Sequence, residues 1–248
     1  MKALITGASS GIGRDIAKYL SEKGYDLVIV ARRVELLEEL KKELNTEVEI
    51  VNLDISSVEN CKKLFEEHKD IDVLVNNAGF GLFGHFSELD LEKELSMINT
   101  NVTAVHVLSK LYLQEMKKKN SGRILNVASI AGFMVGPLMA TYYATKNYVV
   151  SLSRAMNKEL KKEKSNVRVS VLCPGPVKTN FNNVAGVKFG INSLSSDYVA
   201  KYAVDKMLKN KEVIIPGFTI KVLKFLNKIL PDAIMIEGTF HTQKHKNK

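Results

Sequence analysis

Short apolar runs rich in valine and isoleucine recur along the chain, and longer stretches with helical spacing of apolar residues separate them. The runs are KALIT, DLVIVA, VEIVN, DVLVN, RILNVAS, VRVSVLC and EVIIP. Runs that are apolar at consecutive positions indicate strands buried on both faces, and alternation with helices indicates parallel strands joined by right-handed crossovers. The pattern predicts an α/β fold with a doubly wound, mostly parallel sheet of seven strands and helices on both faces.

Local signals place several helix ends and the domain limits. Ser56, followed by Glu59 three residues later, predicts a capping box, and Gly24 predicts the end of the first helix. The length of 248 residues suits one large α/β domain. We expect residues 1–217 to form this domain and 218–248 to add a helical extension with a basic tail.

Composition narrows the class of protein. Apolar residues make up 45% and charged residues 25%, as in ordinary soluble proteins. Cys61 and Cys173 form neither a disulfide framework nor a metal-ligand spacing, so we expect no metal and a reducing, cytoplasmic environment. The sequence has no signal-peptide pattern and no apolar run of about 18 residues, so secretion and membrane spanning are not expected. The net charge of +9 is carried by lysines mixed with glutamates, so we expect no nucleic acid partner.

A glycine-rich loop lies between the first predicted strand and the first predicted helix. Gly7, Gly11 and Gly13 follow a GxxxGxG spacing within TGASSGIG. Glycines permit a tight turn and close approach of a ligand, while a helix N-terminus offers free N–H groups to a pyrophosphate. The loop therefore predicts a dinucleotide site in a Rossmann-like fold, with Ser9, Ser10 and Ile12 beside it, and the absent GK[ST] ending disfavours a P-loop.

The end of the second strand predicts which dinucleotide is bound. Ala31 stands where an acidic residue would hold the ribose 2′-hydroxyl of NAD, and Arg32 follows it. We therefore predict NADP(H), with Arg32 as the first candidate for the 2′-phosphate and Arg33 or Arg14 assisting. Asp54, after the third strand, is expected either to accept from the adenine amino group or to cap the following helix.

Six motifs in one order resemble the short-chain dehydrogenase/reductase family over residues 2–216. They are TGASSGIG, NNAG from Asn76, Asn101 in NTNVTA, Ser129, YYATK and PGPVKT from Pro174. The family pattern YxxxK selects Tyr142 and Lys146. On a helix these residues lie on one face, whereas Tyr143 is turned about 100° away.

The resemblance implies a role for each motif. Tyr142 would be the general acid/base, Lys146 would lower its pKa and bond the nicotinamide ribose, and Ser129 would hold the carbonyl oxygen. Asn101 would anchor a water of a proton relay. Further cofactor contacts are implied for Asn77, Ala78, Gly79, Pro174, Gly175, Val177 and Thr179.

The substrate side is less sharply predicted. By the resemblance, residues 181–195 correspond to a substrate loop. Several apolar residues are candidates for the pocket or the core, and they suggest an apolar or medium-sized carbonyl or alcohol substrate: Phe80, Phe83, Met134, Phe181 and Phe189.

The C-terminal extension mixes lysines with apolar residues at helical spacing. Val222, Phe225, Leu226 and Ile229 are predicted to share one face. We expect this face to pack on its own domain or against another subunit of a homodimer or homotetramer, in preference to a peripheral membrane contact through residues 218–236.

These predictions together favour an NADP(H)-dependent oxidoreductase, a ketoreductase that transfers a hydride to or from a carbonyl/alcohol substrate. Two alternatives stay open. One is a sugar-nucleotide epimerase or dehydratase, which shares YxxxK but usually carries a GxxGxxG loop and a longer C-terminal domain. The other is a cofactor-sensing regulator with little turnover.

Overall fold

A computed structural model describes residues 1–181 and 193–244. Phe189, most of the predicted substrate loop and the last four residues of the predicted basic tail lie outside these ranges.

A seven-stranded parallel sheet forms the centre of the molecule, as predicted. Its order is β3-β2-β1-β4-β5-β6-β9, and every neighbouring pair is parallel. The order reverses between β1 and β4, which is the switch point where ligands bind in doubly wound sheets. The strands are β1 Lys2–Thr6, β2 Asp26–Ala31, β3 Val48–Asn52, β4 Val73–Asn76, β5 Arg123–Val127, β6 Arg168–Leu172 and β9 Val213–Ile214.

Two hydrophobic cores cover the two faces of this sheet. In β1, Ala3 and Ile5 pack in one core and Leu4 packs in the other, and all three are fully buried. This arrangement explains the consecutive apolar residues of the strands, because side chains alternate between faces and both faces are dry.

Helices pack on both sides of the sheet. The first core includes residues of α1, α2 and α7, and the second includes residues of α3, α5 and α6. The helices are α1 Gly11–Glu22, α2 Val34–Lys41, α3 Val58–Glu67, α4 Leu91–Ile98, α5 Ala104–Lys119, α6 Ala140–Lys162, α7 Ser196–Leu208, α8 Phe218–Ile229 and α9 Asp232–Lys244. In the described ranges, no helix is long and apolar enough to cross a bilayer.

Two predicted helix ends can be compared with the structure. Gly24 has φ +79° just beyond α1, so the predicted stop is confirmed. The predicted cap of α3 is wrong by one residue, because the hydroxyl of Ser57, not Ser56, accepts from the backbone N–H of Asn60 at 3.3 Å. Ser56 belongs instead to a turn that Asp54 closes.

A short second sheet was not predicted. Its parallel strands, β7 Val177–Lys178 and β8 Leu194–Ser195, pair at the two ends of the stretch that contains the predicted substrate loop.

The predicted packing of α8 on its own domain through Val222, Phe225, Leu226 and Ile229 is wrong, because all four side chains are exposed. The opposite face packs inward, with Ile220 buried beside β6 and the Asn227 amide bonded to the Phe133 carbonyl. Polar residues take part in the inward contact, so a periodicity of apolar residues alone selected the wrong face. Contact of the exposed face with another subunit or a membrane stays a prediction.

Candidate active site

A cavity of about 1120 Å³ lies at the carboxyl edge of the sheet. Most of the predicted site residues line it, although they come from distant parts of the sequence. They are Gly7, Ser9, Ser10, Gly11, Ile12, Arg32, Arg33, Asp54, Asn77, Ala78, Gly79, Ser129, Tyr142, Lys146, Pro174, Gly175, Val177 and Thr179. Gly13 and Asn101 do not line the cavity, although the adjacent residues Ile12 and Thr100 do.

The glycine loop is held by close backbone contacts. A Cβ atom on Gly7, which has φ +67°, would lie 2.7 Å from the Ala78 Cα atom. A Cβ atom on Gly13 would lie 2.2 Å from the Asn77 Nδ2 atom, although Gly13 does not touch the cavity. Its predicted cofactor contact is therefore indirect: Gly13 lets α1 pack against the amide that supports the loop.

The Asn77 amide ties the loop to β4, since its Nδ2 donates to the carbonyls of Thr6 and Gly7 at 3.0 and 3.1 Å. One residue earlier, the buried Asn76 amide donates to Asn126 on β5 at 2.9 Å. The NNAG motif therefore joins the central strands while its following residues line the cavity.

The N-terminus of α1 points its first turn toward the loop. The side chain of its N-cap residue, Ser10, makes no capping hydrogen bond, and no acidic residue lies in the first turn. Helix N-termini with such free N–H groups attract phosphate.

The three candidate arginines have different surroundings. Arg33 donates to the hydroxyls of Ser9 and Ser10 at 3.1 and 3.3 Å, so its guanidinium lies against the glycine loop. Arg32 is 70% exposed, with its guanidinium 3.7 Å from the carboxylate of Asp54. Arg14 is instead bonded to Glu43 at 2.6 Å and does not line the cavity, so the structure does not support its predicted assistance.

Asp54 does not cap α3, which Ser57 does. Its carboxylate accepts from the Ser56 backbone N–H at 2.9 Å and lines the cavity. The adenine contact stays a prediction.

Tyr142 and Lys146 lie one turn apart on α6, and both are buried. The Lys146 ammonium is 5.9 Å from the Tyr142 ring centroid and donates to the Val127 carbonyl at 3.1 Å. Burial lowers the pKa of Lys146 to about 8. Burial also raises the pKa of Tyr142, and a hydrogen bond with Ser129 opposes that rise.

Ser129 follows β5 and begins a 3₁₀ turn, Ile130–Phe133, in which its hydroxyl accepts from the Ala131 N–H at 3.2 Å. The turn fixes the serine beside the Tyr142 phenol. The hydroxyls of Ser129 and Tyr142, which can donate to a developing oxyanion, and the ammonium of Lys146, which can support the phenol, therefore lie at one end of the cavity.

Asn101 lies in a π-helical turn, Asn99–Thr103, between α4 and α5. Its amide accepts from the Phe80 N–H at 3.1 Å and donates to the Phe80 carbonyl at 2.9 Å. A Cβ atom on Gly79 would lie 2.8 Å from the Asn101 Oδ1 atom and 3.3 Å from the Lys146 Nζ atom. Asn101 thus fixes the backbone beside the lysine, and its predicted water remains a prediction.

Apolar side chains continue the cavity beyond Tyr142. Phe80, Met134 and Phe181 line it, and the Phe181 ring centroid is 5.4 Å from that of Tyr142. Phe83 packs in the same apolar cluster without lining the cavity.

The remaining wall comes from α8 and α9. The contributing side chains include Ile220, Leu223, Ile234, Met235, Thr239 and Gln243. The Gln243 amide nitrogen donates to the Tyr143 hydroxyl at 2.7 Å. Ile220 also packs on Gly175, where a Cβ atom would lie 2.4 Å from its Cδ1 atom.

Comparison with known proteins identifies the family. The model of the short chain dehydrogenase family matches residues 1–188. The chain belongs to this family. An uncharacterized oxidoreductase of Staphylococcus epidermidis is 33% identical over 225 residues, which cover 88% of this chain and 96% of that protein.

Solved structures of other short-chain dehydrogenases agree. One from Sphingobium yanoikuyae in complex with NADPH has a TM-score of 0.80 at 27% identity and covers 94% of this chain and 97% of its own. One from Burkholderia phymatum in complex with NAD has a TM-score of 0.82 at 25% identity, with 91% and 92% covered. The protein is thus a short-chain dehydrogenase of the oxidoreductase class, and its relatives hold nicotinamide cofactors.

The cavity of this short-chain dehydrogenase fits such a cofactor. Gly7 and Gly11 place no side chain at the cavity wall, and Gly11 packs so close to Thr179 that a Cβ atom would lie 2.9 Å from the Thr179 Cγ2 atom. In the described ranges, no group of three or more acidic, histidine or cysteine residues could hold a metal ion.

The contribution of the C-terminal helices to this site was not predicted from the sequence. The Gln243–Tyr143 bond joins residues 100 positions apart, and no motif marks the glutamine. The helix sequence DAIMIEGTFHTQK has polar residues on both sides of Gln243, so no local signal distinguishes the glutamine.

Proposed function

We propose that this short-chain dehydrogenase is an NADP(H)-dependent carbonyl reductase with Tyr142 as its general acid. The observation that carries the proposal is the convergence of Ser129, Tyr142 and Lys146 in one cavity with the glycine loop. Bound NADPH would supply the hydride to the carbonyl carbon.

Tyr142 donates the proton that the resulting alkoxide needs. Because burial raises its pKa, the phenol keeps its proton at neutral pH and is ready to act as an acid. Ser129 donates its hydroxyl to the substrate oxygen and holds the carbonyl beside the phenol.

Lys146 supports the phenol electrostatically. With a pKa of about 8, its side chain is mostly an ammonium at pH 7, and a nearby positive charge stabilises the phenolate that remains after proton transfer. Its hydrogen bond to Val127 fixes the ammonium one helical turn from the tyrosine.

The preference for NADP(H) rests on two arginines at the nucleotide end. Arg33 lies against the serines of the glycine loop, and Arg32 is exposed at the cavity wall. Guanidinium groups bind phosphate through paired charged hydrogen bonds, so they favour a ribose 2′-phosphate. One relative holds NADPH and another holds NAD, so the preference rests on the two arginines.

Replacement of Arg33 or Arg32 by alanine tests the cofactor preference. Loss of one charged hydrogen-bond donor should lower kcat/KM for NADPH about 10- to 100-fold and change kcat/KM for NADH little. Arg14→Ala is the matched control, because Arg14 pairs with Glu43 away from the cavity. Equal use of both cofactors by the parent enzyme would refute the preference.

NADPH oxidation in the presence of ketones, aldehydes and 3-ketoacyl thioesters tests the reaction. NADPH that carries deuterium at both C4 positions should transfer one deuterium to the alcohol carbon of any product. A folded protein that binds NADPH but reduces no compound in the panel would contradict the proposal and favour a cofactor-sensing role.

A further inference from the structure

The wall of the cavity opposite the glycine loop contains a buried polar pair. Gln243 is 1% exposed, and its amide nitrogen donates to the Tyr143 hydroxyl at 2.7 Å. Among the residues that the structure describes, none donates to the Gln243 Oε1 atom, which is buried without a hydrogen bond. A buried acceptor without a partner is destabilising, so its position at a cavity wall points to a ligand that supplies the missing donor.

Tyr143 provides the complementary group. Its oxygen accepts from Gln243, and its own proton is left to donate. Burial raises the pKa of Tyr143 to about 12, so the hydroxyl keeps this proton at any working pH. The pair therefore presents one donor and one acceptor, the two interactions that a single alcohol group makes.

The surroundings restrict the chemistry of the ligand. Ile234, Met235 and Leu223 line the same part of the cavity. The cationic side chains in the described wall are Arg32, Arg33 and Lys146, which serve the nucleotide and the phenol. A carboxylate group of a ligand would be repelled by the Gln243 oxygen and would have no cation to pair with. An uncharged hydroxyl on an apolar skeleton can donate to that oxygen and needs no cation.

We propose that Tyr143 and Gln243 form a subsite for a hydroxyl group that the carbonyl substrate carries away from its reacting carbon. Tyr143 donates to the hydroxyl oxygen, and Gln243 Oε1 accepts the hydroxyl proton. The Tyr142 and Tyr143 rings are neighbours, with centroids 6.0 Å apart, so one substrate molecule can reach both side chains. The substrate class is then a hydroxy-ketone with an apolar skeleton.

This inference rests on the proposed function, and matched ketones test the two separately. The pairs are 4-hydroxycyclohexanone with 4-methylcyclohexanone, and 6-hydroxy-2-decalone with 6-methyl-2-decalone. For the parent enzyme, kcat/KM should favour the hydroxyl member of at least one pair. Gln243→Met should lower that preference about 10- to 100-fold, because it removes the polar partner that only the hydroxyl member uses.

Two further variants separate binding from folding. Tyr143→Phe should reduce the same preference with α9 unchanged in sequence, and it serves if Gln243→Met does not fold. His241→Met is the matched control, because it places methionine on the exposed face of the same helix. A purely structural role for Gln243 would lower kcat/KM for both ketones of a pair equally.

The outcomes distinguish the subsite from the reaction. An unchanged hydroxyl preference in both Gln243→Met and Tyr143→Phe overturns the subsite and leaves the carbonyl reductase intact. If the parent reduces no ketone, calorimetric titration of each pair into the protein with NADP⁺ decides the subsite: tighter binding of the hydroxyl member that Gln243→Met abolishes supports it, and equal or absent binding overturns it.

Discussion

The glycine loop and the C-terminal helices line different ends of one cavity, and they are built in different ways. At the glycine loop the backbone itself forms the wall, and a single methyl group on Gly7 or Gly13 would meet atoms at 2.7 or 2.2 Å. In α9 the wall is made of side chains, and a methyl group on Gly238 would meet no described atom within 4 Å.

This difference assigns separate tasks to the two ends. A nucleotide has one shape, so a fixed backbone cradle can hold it. Substrates vary in shape, and side chains on a helix can be exchanged without moving the backbone. We therefore expect substitutions at the nucleotide end to damage folding and every reaction, and substitutions in α9 to change which substrate is accepted.

Lys146→Met should give the largest effect. It removes the charge that supports Tyr142, so kcat/KM for ketone reduction should fall by about 10² to 10⁴. The same change should stabilise the protein without cofactor at pH 7. Because burial lowers the pKa of Lys146 from 10.5 to about 8, keeping the ammonium buried costs on the order of 3 kcal/mol. The variant avoids this cost but loses the hydrogen bond to Val127, which offsets about 1 kcal/mol of the gain.

The pH dependence of this gain has a definite sign. Below about pH 8 the Lys146 side chain is protonated in both the folded and the unfolded chain, so the parent bears the full cost of the buried ammonium. Between pH 8 and 10.5 Lys146 has lost its proton in the folded chain but keeps it in the unfolded chain, so the free energy of unfolding of the parent rises relative to that of the variant. Urea unfolding of both proteins from pH 7 to 10 measures this; a variant less stable than the parent at pH 7 would contradict the account.

Gly13→Ala should destabilise the fold by about 1–3 kcal/mol, because the new methyl group collides with Asn77 and the Gly7 carbonyl. NADPH affinity should fall as well, since both neighbours shape the loop. The midpoint of urea unfolding and a fluorescence titration with NADPH measure the two effects. Full stability with normal NADPH binding would show that the loop is not held by backbone contact.

Gly238→Ala is the matched change at the other end and has the smallest expected effect. Gly238 lies inside α9 with open space around it, so alanine should stabilise the protein by about 0.5–1 kcal/mol through helix propensity. A loss of stability comparable to that of Gly13→Ala would remove the contrast between the two ends.

The sequence predicted the sheet and the residues that line the glycine-loop end of the cavity well, because their signals are local. Helices cover both faces of the central strands, so consecutive residues of these strands are apolar and appear as uninterrupted runs in the sequence. Glycines at the end of β1 mark a turn that only they can adopt. The family pattern YxxxK selects Tyr142 over Tyr143, and the helix spacing agrees with that choice.

The C-terminal half was predicted less well, because its contacts are tertiary. The inward face of α8 includes Asn227, which bonds a carbonyl 94 residues away, so apolar periodicity pointed to the exposed face.

Arg33 and Arg14 are equally basic in sequence, and only folding brings one to Ser9 and the other to Glu43. No pattern linked Gln243 to Tyr143.

The central claim is that Tyr142, and not its neighbour, is the proton donor. The direct measurement is kcat/KM for NADPH-dependent reduction of one apolar ketone without a second hydroxyl, by the parent, Tyr142→Phe and Tyr143→Phe enzymes at pH 7. We predict that Tyr142→Phe lowers kcat/KM about 10²- to 10⁴-fold and that Tyr143→Phe stays within about tenfold of the parent. Activity that survives Tyr142→Phe but is lost in Tyr143→Phe would contradict the account.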